Sequence, residues 1–310
     1  MRILRGLLGT GRIPTSYLFS GERGIGKFSA ALEFAKAMNC ESPAGRDSCD
    51  RCRSCMRMTA LNHPDLKVMA PEGGVLKVEQ VRELEEFLSF KPHEGRKKVV
   101  IVDDADLMNL YAANAFLKTL EEPPEDSMII LVSSRPELLV DTIRSRCLNI
   151  RFLPLGTADL KKAAELLGKK TGDETGLRLV MGRVGLLLDE EAVVRRDRAF
   201  DSFEDMIEGR EAGVPKEREA IDELLDSCLL FLRDSMEILC TGGDETLVNR
   251  DLSGRIARIC RGIGPEELMA VYDEVLDLRK KTFYNLNKAI VIQYLSMLLA
   301  SLGRKRTRAR

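Results

Sequence analysis

The sequence contains the segment SGERGIGKFSAA at residues 20–31. The apolar run before it predicts a strand, and the apolar spacing of FSAALEFAKAMN after it predicts an amphipathic helix. A G-x-x-x-x-G-K loop between a strand and a helix is typical of phosphate-binding loops, because glycines let backbone N–H groups turn toward phosphate oxygens. We therefore expect Gly21, Gly24, Gly26 and Lys27 to form such a loop, the alternative being a chance glycine-rich turn.

Phe28 departs from the usual form of this loop. The position after the lysine normally carries a hydroxyl that ligates Mg²⁺, and Phe28 has no oxygen. Ser29 follows one position late, which turns its side chain by about 100° on a helix. The residues therefore argue against ATP with Mg²⁺ in this site, but they leave open that Lys27 and the glycines bind phosphates without the metal.

A second pair of acids follows another apolar run, in VVIVDDAD at residues 99–106. Asp103 stands where Walker-B acids hold Mg²⁺ through water. Asp104 stands where a glutamate usually polarises the attacking water, and its carboxylate is one methylene shorter. Together with Phe28, this departure predicts weak or absent hydrolysis. The alternative is that both acids merely cap the end of a strand.

The order of the predicted elements gives the fold class. Strands alternate with helices over residues 1–153, which predicts an α/β domain with a mostly parallel sheet. Residues 154–207 predict a small helical domain, and residues 208–303 predict a pack of antiparallel helices. Residues 304–310 form a basic tail, which is either solvated or in weak contact with phosphate.

The composition limits the class of protein. A chain of 310 residues with 44% hydrophobic and 31% charged residues predicts two or three globular domains. The formal net charge of −1 means that any contact with DNA would use a local patch or partner proteins. The N-terminal residues do not match a signal peptide, and no apolar run is long enough to span a membrane. We therefore expect a cytoplasmic protein without membrane contact.

Four of the eight cysteines lie close together in the segment 40–55. Cys40, Cys49, Cys52 and Cys55 have the spacing C-x8-C-x2-C-x2-C, which predicts a closed tetrahedral Zn²⁺ site of structural type. A redox C-x-x-C pair is the alternative. The remaining cysteines are scattered, as expected for core residues in a reducing compartment: Cys147, Cys228, Cys240 and Cys260.

The segment TIRSRC at residues 142–147 holds two arginines. Such a pair can be an ordinary solvated surface. An arginine that follows a strand and a helix of a nucleotide-binding fold can also reach the γ-phosphate of a neighbouring subunit, as arginine fingers do. Spacing alone leaves both readings open for Arg146.

Several of these segments resemble one family. AANAFLKTLEEPPE at 112–125 and SRC at 145–147 are similar to motifs of the clamp-loader family of bacterial DNA polymerase III, and so is the cysteine cluster after the first helix. The resemblance is dense over residues 16–153. It continues weakly to NLNKAIVIQYLSMLL at 285–299, which resembles the closing helix of that family's collar domain.

The resemblance implies an AAA+ architecture with an ATPase-like domain, a helical lid and a helical collar. It also implies a five-subunit assembly with delta and three gamma/tau copies, which uses ATP to open the sliding clamp and place it on primed DNA. In such an assembly Arg146 would complete the ATP site of an adjacent gamma/tau subunit. The sensor-1 position would map to Ser133 or Ser134.

Two branches of this family can be distinguished. Gamma/tau chains carry G-K-T or G-K-S and an Asp-Glu pair, whereas this sequence has Phe28 and Asp104, and we expect no long polymerase-binding extension after the collar. These departures favour a stator-type subunit with little or no hydrolysis of its own. Arg183 on the lid lacks the context of a sensor-2 arginine, because Leu186 follows Gly185. An active gamma/tau-like ATPase and a DNA-binding zinc protein with a vestigial nucleotide fold are the alternatives.

Overall fold

The computed structural model describes residues 2–10, 13–168, 174–189, 191–210, 215, 217–282 and 286–308. The chain divides into two compact units. Residues 1–155 together with 183–185 form the first unit, and residues 156–182 together with 186–310 form the second.

The first unit is built on a five-stranded sheet. Its strands are β1 (Ser16–Ser20), β2 (Leu66–Met69), β3 (Lys98–Val102), β4 (Ser127–Ser133) and β5 (Leu148–Arg151). Their order is β2-β3-β4-β1-β5, and every neighbouring pair is parallel. The predicted α/β class with a parallel sheet is therefore confirmed.

Helices cover both faces of this sheet. They are α1 (Arg2–Thr10), α2 (Lys27–Asn39), α3 (Arg53–Thr59), α4 (Val78–Ser89), α5 (Leu110–Glu121) and α6 (Asp141–Arg144). Val100 packs in one buried cluster with Phe116 of α5, and its neighbour Ile101 packs in another with Phe34 of α2. The strands read as continuous apolar runs because successive side chains enter opposite cores.

The carboxyl ends of three strands lie together. Ser20 at the end of β1 is paired with Ser133 at the end of β4, and Val102 of β3 is paired with Leu131 of β4. In parallel sheets, loops that follow adjacent carboxyl ends converge at one edge, which is where ligands bind in such folds. The glycine loop, the acids after β3 and the serines at the end of β4 therefore share this edge.

The second unit is helical. Its helices are α7 (Thr157–Leu166), α8 (Glu174–Val180), α9 (Ala192–Ile207), α10 (Arg218–Thr241), α11 (Ser253–Ile259), α12 (Pro265–Lys281) and α13 (Lys288–Arg308). None of the helices that the structure describes combines the length and the apolar composition needed to cross a bilayer.

The core of the second unit runs through α9. Phe200 and Phe203 of this helix contact Phe231 of α10, with ring centroids 4.9 and 5.4 Å apart. Helices α10 to α13 contribute to the same buried cluster. The expected boundary between lid and collar, at residue 207, coincides with the end of α9. This helix shares its buried cluster with α10 to α13, which lie in the segment expected to form the collar. The three-part division stays a prediction. Helix α13 continues to Arg308, past residue 303.

Candidate functional site at the carboxyl edge of the sheet

The glycine loop has the backbone that its sequence predicts. Gly26 precedes α2 with φ of 89°, in the left-handed region that favours glycine. Gly21 has φ of 144°, and a Cβ there would lie 2.5 Å from the carbonyl oxygen of Phe152. Gly24 accepts a hydrogen bond from the backbone N–H of Gly185 at 2.7 Å. The loop thus runs close to other backbone at both ends.

Lys27 is buried and is bonded to its own loop. Its Nζ donates to Gly21 O and Glu22 O, each at 2.7 Å, and to Ser134 Oγ at 3.3 Å. Burial lowers the pKa of Lys27, while the acids after β3, Asp103 foremost, act in the opposite direction. An ammonium group has three hydrogens, and here each has an acceptor within the protein.

The side chain of Phe28 packs against the core of the first unit. It is partly buried against the cluster that contains Tyr17, Phe19 and Phe34, on the face of the sheet covered by α1 and α2. Where other loops of this type carry a metal-binding hydroxyl, this chain has an apolar ring that contributes to packing.

The two acids after β3 are held locally. The backbone N–H of Asp103 donates to Met69 O at 2.8 Å, and Asp103 Oδ1 accepts from the N–H of Asp104 at 3.1 Å. Asp104 has φ of 44°, a left-handed conformation that is uncommon for residues with a side chain. Burial, and then the charge of Asp104, raise the pKa of Asp103.

Asp106 is a site residue that the sequence reasoning missed. Its buried carboxylate accepts from Ser133 Oγ at 2.7 Å, from the N–H of Ser134 at 3.2 Å and from Arg135 Nε at 3.1 Å. Ser133 is therefore bonded to Asp106 and Ser134 to Lys27, so both serines considered for sensor-1 lie beside the loop. Its signal in the sequence is that Asp106 is the third acid in the four residues DDAD.

The four cysteines of segment 40–55 come together in the structure. Their sulfur atoms all lie within 4.8 Å of one another. A tetrahedral zinc–thiolate site has sulfurs about 3.8 Å apart, a spacing within that limit. Cys40 and Cys55 are buried, and the Sγ atoms of Cys40, Cys49 and Cys52 each accept a backbone N–H, at 3.3–3.4 Å. These residues could hold a metal ion.

Hydrogen bonding and burial affect the thiols of this cluster differently. The backbone N–H groups of Arg51 and Cys52 lower the pKa of Cys49 to about 6, so this thiol ionises readily. Burial raises the pKa of Cys55 to about 12. Because metals bind thiolates, an ion would have to displace the proton of Cys55. Cys52 also caps α3, a short helix that the sequence reasoning did not anticipate.

A buried polar network connects the cysteine segment 40–55 with the residues that follow it. His63 is buried, with Nε2 3.1 Å from Ser54 Oγ and Nδ1 accepting the N–H of Asp65 at 3.0 Å. The carboxylate of Asp65 accepts three backbone N–H groups, those of residues 93, 94 and 95, at 2.7–2.8 Å. The network ties α3, the start of β2 and the loop before β3 together.

Arg146 lies on a different part of the first unit. Its Nε donates to Glu121 Oε1 at 2.9 Å, Nη2 contacts the same oxygen, and Nη1 donates to Thr142 O at 2.9 Å. The side chain keeps about one third of its surface exposed. Arg183, the residue considered for sensor-2, belongs to the first unit and lies next to Gly24: its Cβ is 3.6 Å from where a Cβ on that glycine would be.

Comparison with known proteins identifies the relatives of this chain. A family described as "DNA polymerase III, delta subunit" matches residues 1–156. DNA polymerase III subunit delta' of Bacillus subtilis is 30% identical, over 96% of this chain and 94% of that protein. The Escherichia coli protein of the same name is 30% identical over 87% of this chain and 84% of its own length.

Other matches cover different shares of the chain. DNA polymerase III subunit tau of Escherichia coli is 37% identical, but over 51% of this chain and 24% of tau. The crystal structure of a DNA polymerase III gamma-subunit-related protein from Thermotoga maritima covers 100% of this chain and 99% of its own, at 19% identity and a TM-score of 0.48. The family match and the near full-length relatives show that the chain belongs to the DNA polymerase III delta' subunit family.

Proposed function

We propose that this chain is the delta' subunit of a bacterial replicative clamp loader. The observation that carries the proposal is the near full-length similarity to proteins named delta', at 30% identity over 96% of the chain. The chain would act beside delta and gamma/tau subunits. It would contact the sliding clamp and primed DNA through that assembly. Its cytoplasmic location stays a prediction.

We infer that the subunit is a stator with little or no ATP hydrolysis of its own. Phe28 offers no metal ligand and packs into the core, and Lys27 already has three acceptors within the protein. Asp104 replaces the usual glutamate and has a left-handed backbone. Each feature removes or diverts a group that Mg²⁺-dependent hydrolysis requires.

Arg146 would act in trans, as an arginine finger for the ATP bound by a neighbouring gamma/tau subunit. Its support is the partly exposed guanidinium, held on the surface after α6. A cation at that position would stabilise the charge that develops on the transferred phosphoryl group, which can be worth about 10³- to 10⁵-fold in turnover.

The cysteine cluster would hold a structural Zn²⁺. Four thiolates fill a tetrahedral site and leave no position for water or substrate, so the ion would stabilise the fold rather than react. Within this chain, Cys40 would tie the end of α2 to the start of α3, which carries Cys55.

The decisive experiment combines copurification with an ATPase assay. The purified chain should copurify with delta and gamma/tau, should show no turnover alone, and should support DNA-dependent turnover in the complex. Arg146→Ala should slow turnover by the complex. Normal clamp loading by the Arg146→Ala complex would remove the finger from the proposal.

An active gamma/tau-like ATPase is the second candidate, favoured by the 37% identity to tau over half of the chain. Robust turnover by the isolated chain, abolished by Lys27→Ala, would establish this alternative.

A further inference from the structure

We propose that Glu121 is a positioning residue for Arg146. Glu121, the last residue of α5, would hold the guanidinium so that its outer edge faces a phosphate presented by a neighbouring subunit. The inference rests on the trans role proposed above for Arg146. It adds a residue of this chain that would act on the neighbour's ATP only through that arginine.

The backbone around Arg146 is anchored on both sides. Ile143 is fully buried in α6, and Cys147 is buried in the same cluster. The N–H of Arg146 donates to Ile143 O at 3.1 Å, and that of Cys147 donates to Arg144 O at 3.4 Å. The Cα of Arg146 is thus fixed, and only its side chain remains to be oriented.

The contacts of the guanidinium hold its side edge more firmly than its terminal edge. Glu121 Oε1 accepts from Nε and Nη2, which occupies the side edge, and Thr142 O accepts from Nη1. A longer contact of 3.4 Å joins Nη1 to Ser145 Oγ. Guanidinium has five N–H donors in a rigid fork, so Nη2 keeps one hydrogen without a described acceptor, while the second hydrogen of Nη1 has only the long contact to Ser145 Oγ, which a phosphate oxygen could replace. The terminal pair can bind a phosphate in two parallel hydrogen bonds while Glu121 keeps the side edge.

The geometry indicates that Glu121 orients the guanidinium of Arg146 rather than keeping it away from phosphate. Glu121 contacts only the side edge, through one oxygen, and so leaves the second hydrogen of Nη2 for a phosphate. The backbone of Glu121 is positioned by its place as the last residue of α5, two residues before Pro123. A bound arginine loses rotamer freedom, and a side chain that is already oriented loses less of it on binding phosphate.

The expected effect is small but measurable. The pair is partly exposed, with 33% of the Arg146 side chain and 48% of the Glu121 side chain accessible. Exposed ion pairs are weak, so we expect Glu121→Ala to lower kcat of the complex about 2- to 5-fold. Glu121→Gln keeps an acceptor oxygen at the same place and should lose less than Glu121→Ala does.

The test measures ATP turnover by the reconstituted complex, with kcat and KM determined separately. Glu122→Ala is the matched control, because Glu122 is an exposed acid one residue away whose side chain has no described contact with Arg146. It should behave as wild type. In an Arg146→Ala background, Glu121→Ala should cause no further loss, since its effect passes through the arginine. The unfolding midpoint of Glu121→Ala should match wild type.

Three results would overturn the inference: unchanged or faster turnover with Glu121→Ala, an equal loss with Glu122→Ala, or an additional loss in the Arg146→Ala background. A failure of the proposed function looks different, because Arg146→Ala itself would then leave turnover unchanged. A slow Arg146→Ala complex together with a normal Glu121→Ala complex would retain the finger and reject the positioning role.

Discussion

The hydroxyl of Ser133 donates to Asp106 Oδ1 across 2.7 Å, and both side chains are buried. This bond joins the turn after β3 to the end of β4, and Ser134, the next residue, reaches Lys27 of the glycine loop. The three strand ends that carry the candidate site are therefore connected by side chains as well as by the sheet.

The first prediction concerns Asp106. Asp106→Ala leaves the Ser133 hydroxyl, the Ser134 N–H and Arg135 without their carboxylate acceptor, so we expect the free energy of unfolding to fall by about 1–3 kcal/mol. Urea titration measures the change. Glu86→Ala is the control, because Glu86 is an exposed acid on α4 of the same unit. Equal midpoints for the two variants would contradict this account of Asp106.

The second prediction concerns pH. Burial acts to raise the pKa of Asp65, but hydrogen bonds from three N–H groups and the charge of Lys98 outweigh it and hold the pKa below its ordinary value. A lowered folded-state pKa contributes stability that is fully present above the unfolded value, about 3.9, and is lost as pH falls through the folded value. Urea unfolding from pH 7 to pH 3 should show Asp65→Asn less stable than wild type at neutral pH, with the gap narrowing below about pH 4. A gap that stays constant with pH would refute this.

The third prediction concerns the cysteine cluster. Asp47, within the segment 40–55, pairs with Arg5 of α1 at 2.7 Å, and Arg46 donates to Arg5 O at 3.4 Å. Chelation or Cys49→Ser should therefore lower the melting temperature and speed amide exchange both in this segment and in α1. Cys240→Ser, at an exposed cysteine outside the cluster, should change neither. Protein purified without metal that shows no response to added Zn²⁺ would reject the site.

The fourth prediction concerns the contact between α13 and α9. A Cβ on Gly303 would lie 1.9 Å from the carbonyl oxygen of Ile207, so Gly303→Ala must push the helices apart, at a cost of about 1–3 kcal/mol. A Cβ on Gly254 of α11 would meet nothing within 4 Å. Gly254→Ala should therefore be neutral or slightly stabilising. Thermal unfolding of both variants compares the sites, and a neutral Gly303→Ala would contradict the close packing.

The fifth prediction concerns Phe28. Phe28→Thr supplies the missing hydroxyl but removes a partly buried ring, so we expect a loss of about 1 kcal/mol in stability. Phe28→Leu, which keeps an apolar side chain, should lose less. Neither variant should hydrolyse ATP by itself, because Asp104 still stands at the position of the usual glutamate. Turnover by isolated Phe28→Thr would show that this one residue blocks hydrolysis.

Local patterns predicted the elements whose residues are neighbours in sequence. The glycine loop, β1, α2 and the four cysteines each occupy a short segment; the structure has β1 and α2 on either side of the loop and brings the four sulfur atoms together. Contacts between distant segments were not predictable in this way. Ser133 lies 27 residues from Asp106, and Arg146 lies 25 residues from Glu121, so only the packing of the sheet and helices brings them together.

Helix α3 was missed for a related reason. Its sequence, RSCMRMT, is short and rich in polar residues, and the cysteine spacing suggested a metal-binding loop. The cap from Cys52 and the burial of Cys55 and Met58 stabilise the helix, and neither is visible as an apolar period in seven residues. The inward direction of Phe28 likewise depends on the cluster around Phe34, which forms only after α2 packs on the sheet.

The contacts of Lys27 determine what a phosphate would have to displace in order to bind in the glycine loop. Each hydrogen of the ammonium group is already bonded, to Gly21 O, Glu22 O or Ser134 Oγ. A phosphate oxygen would therefore have to replace one of these acceptors, which makes binding an exchange of partners rather than an addition. The same carbonyl and hydroxyl oxygens that hold Lys27 in the loop are therefore the competitors of any phosphate for its ammonium group.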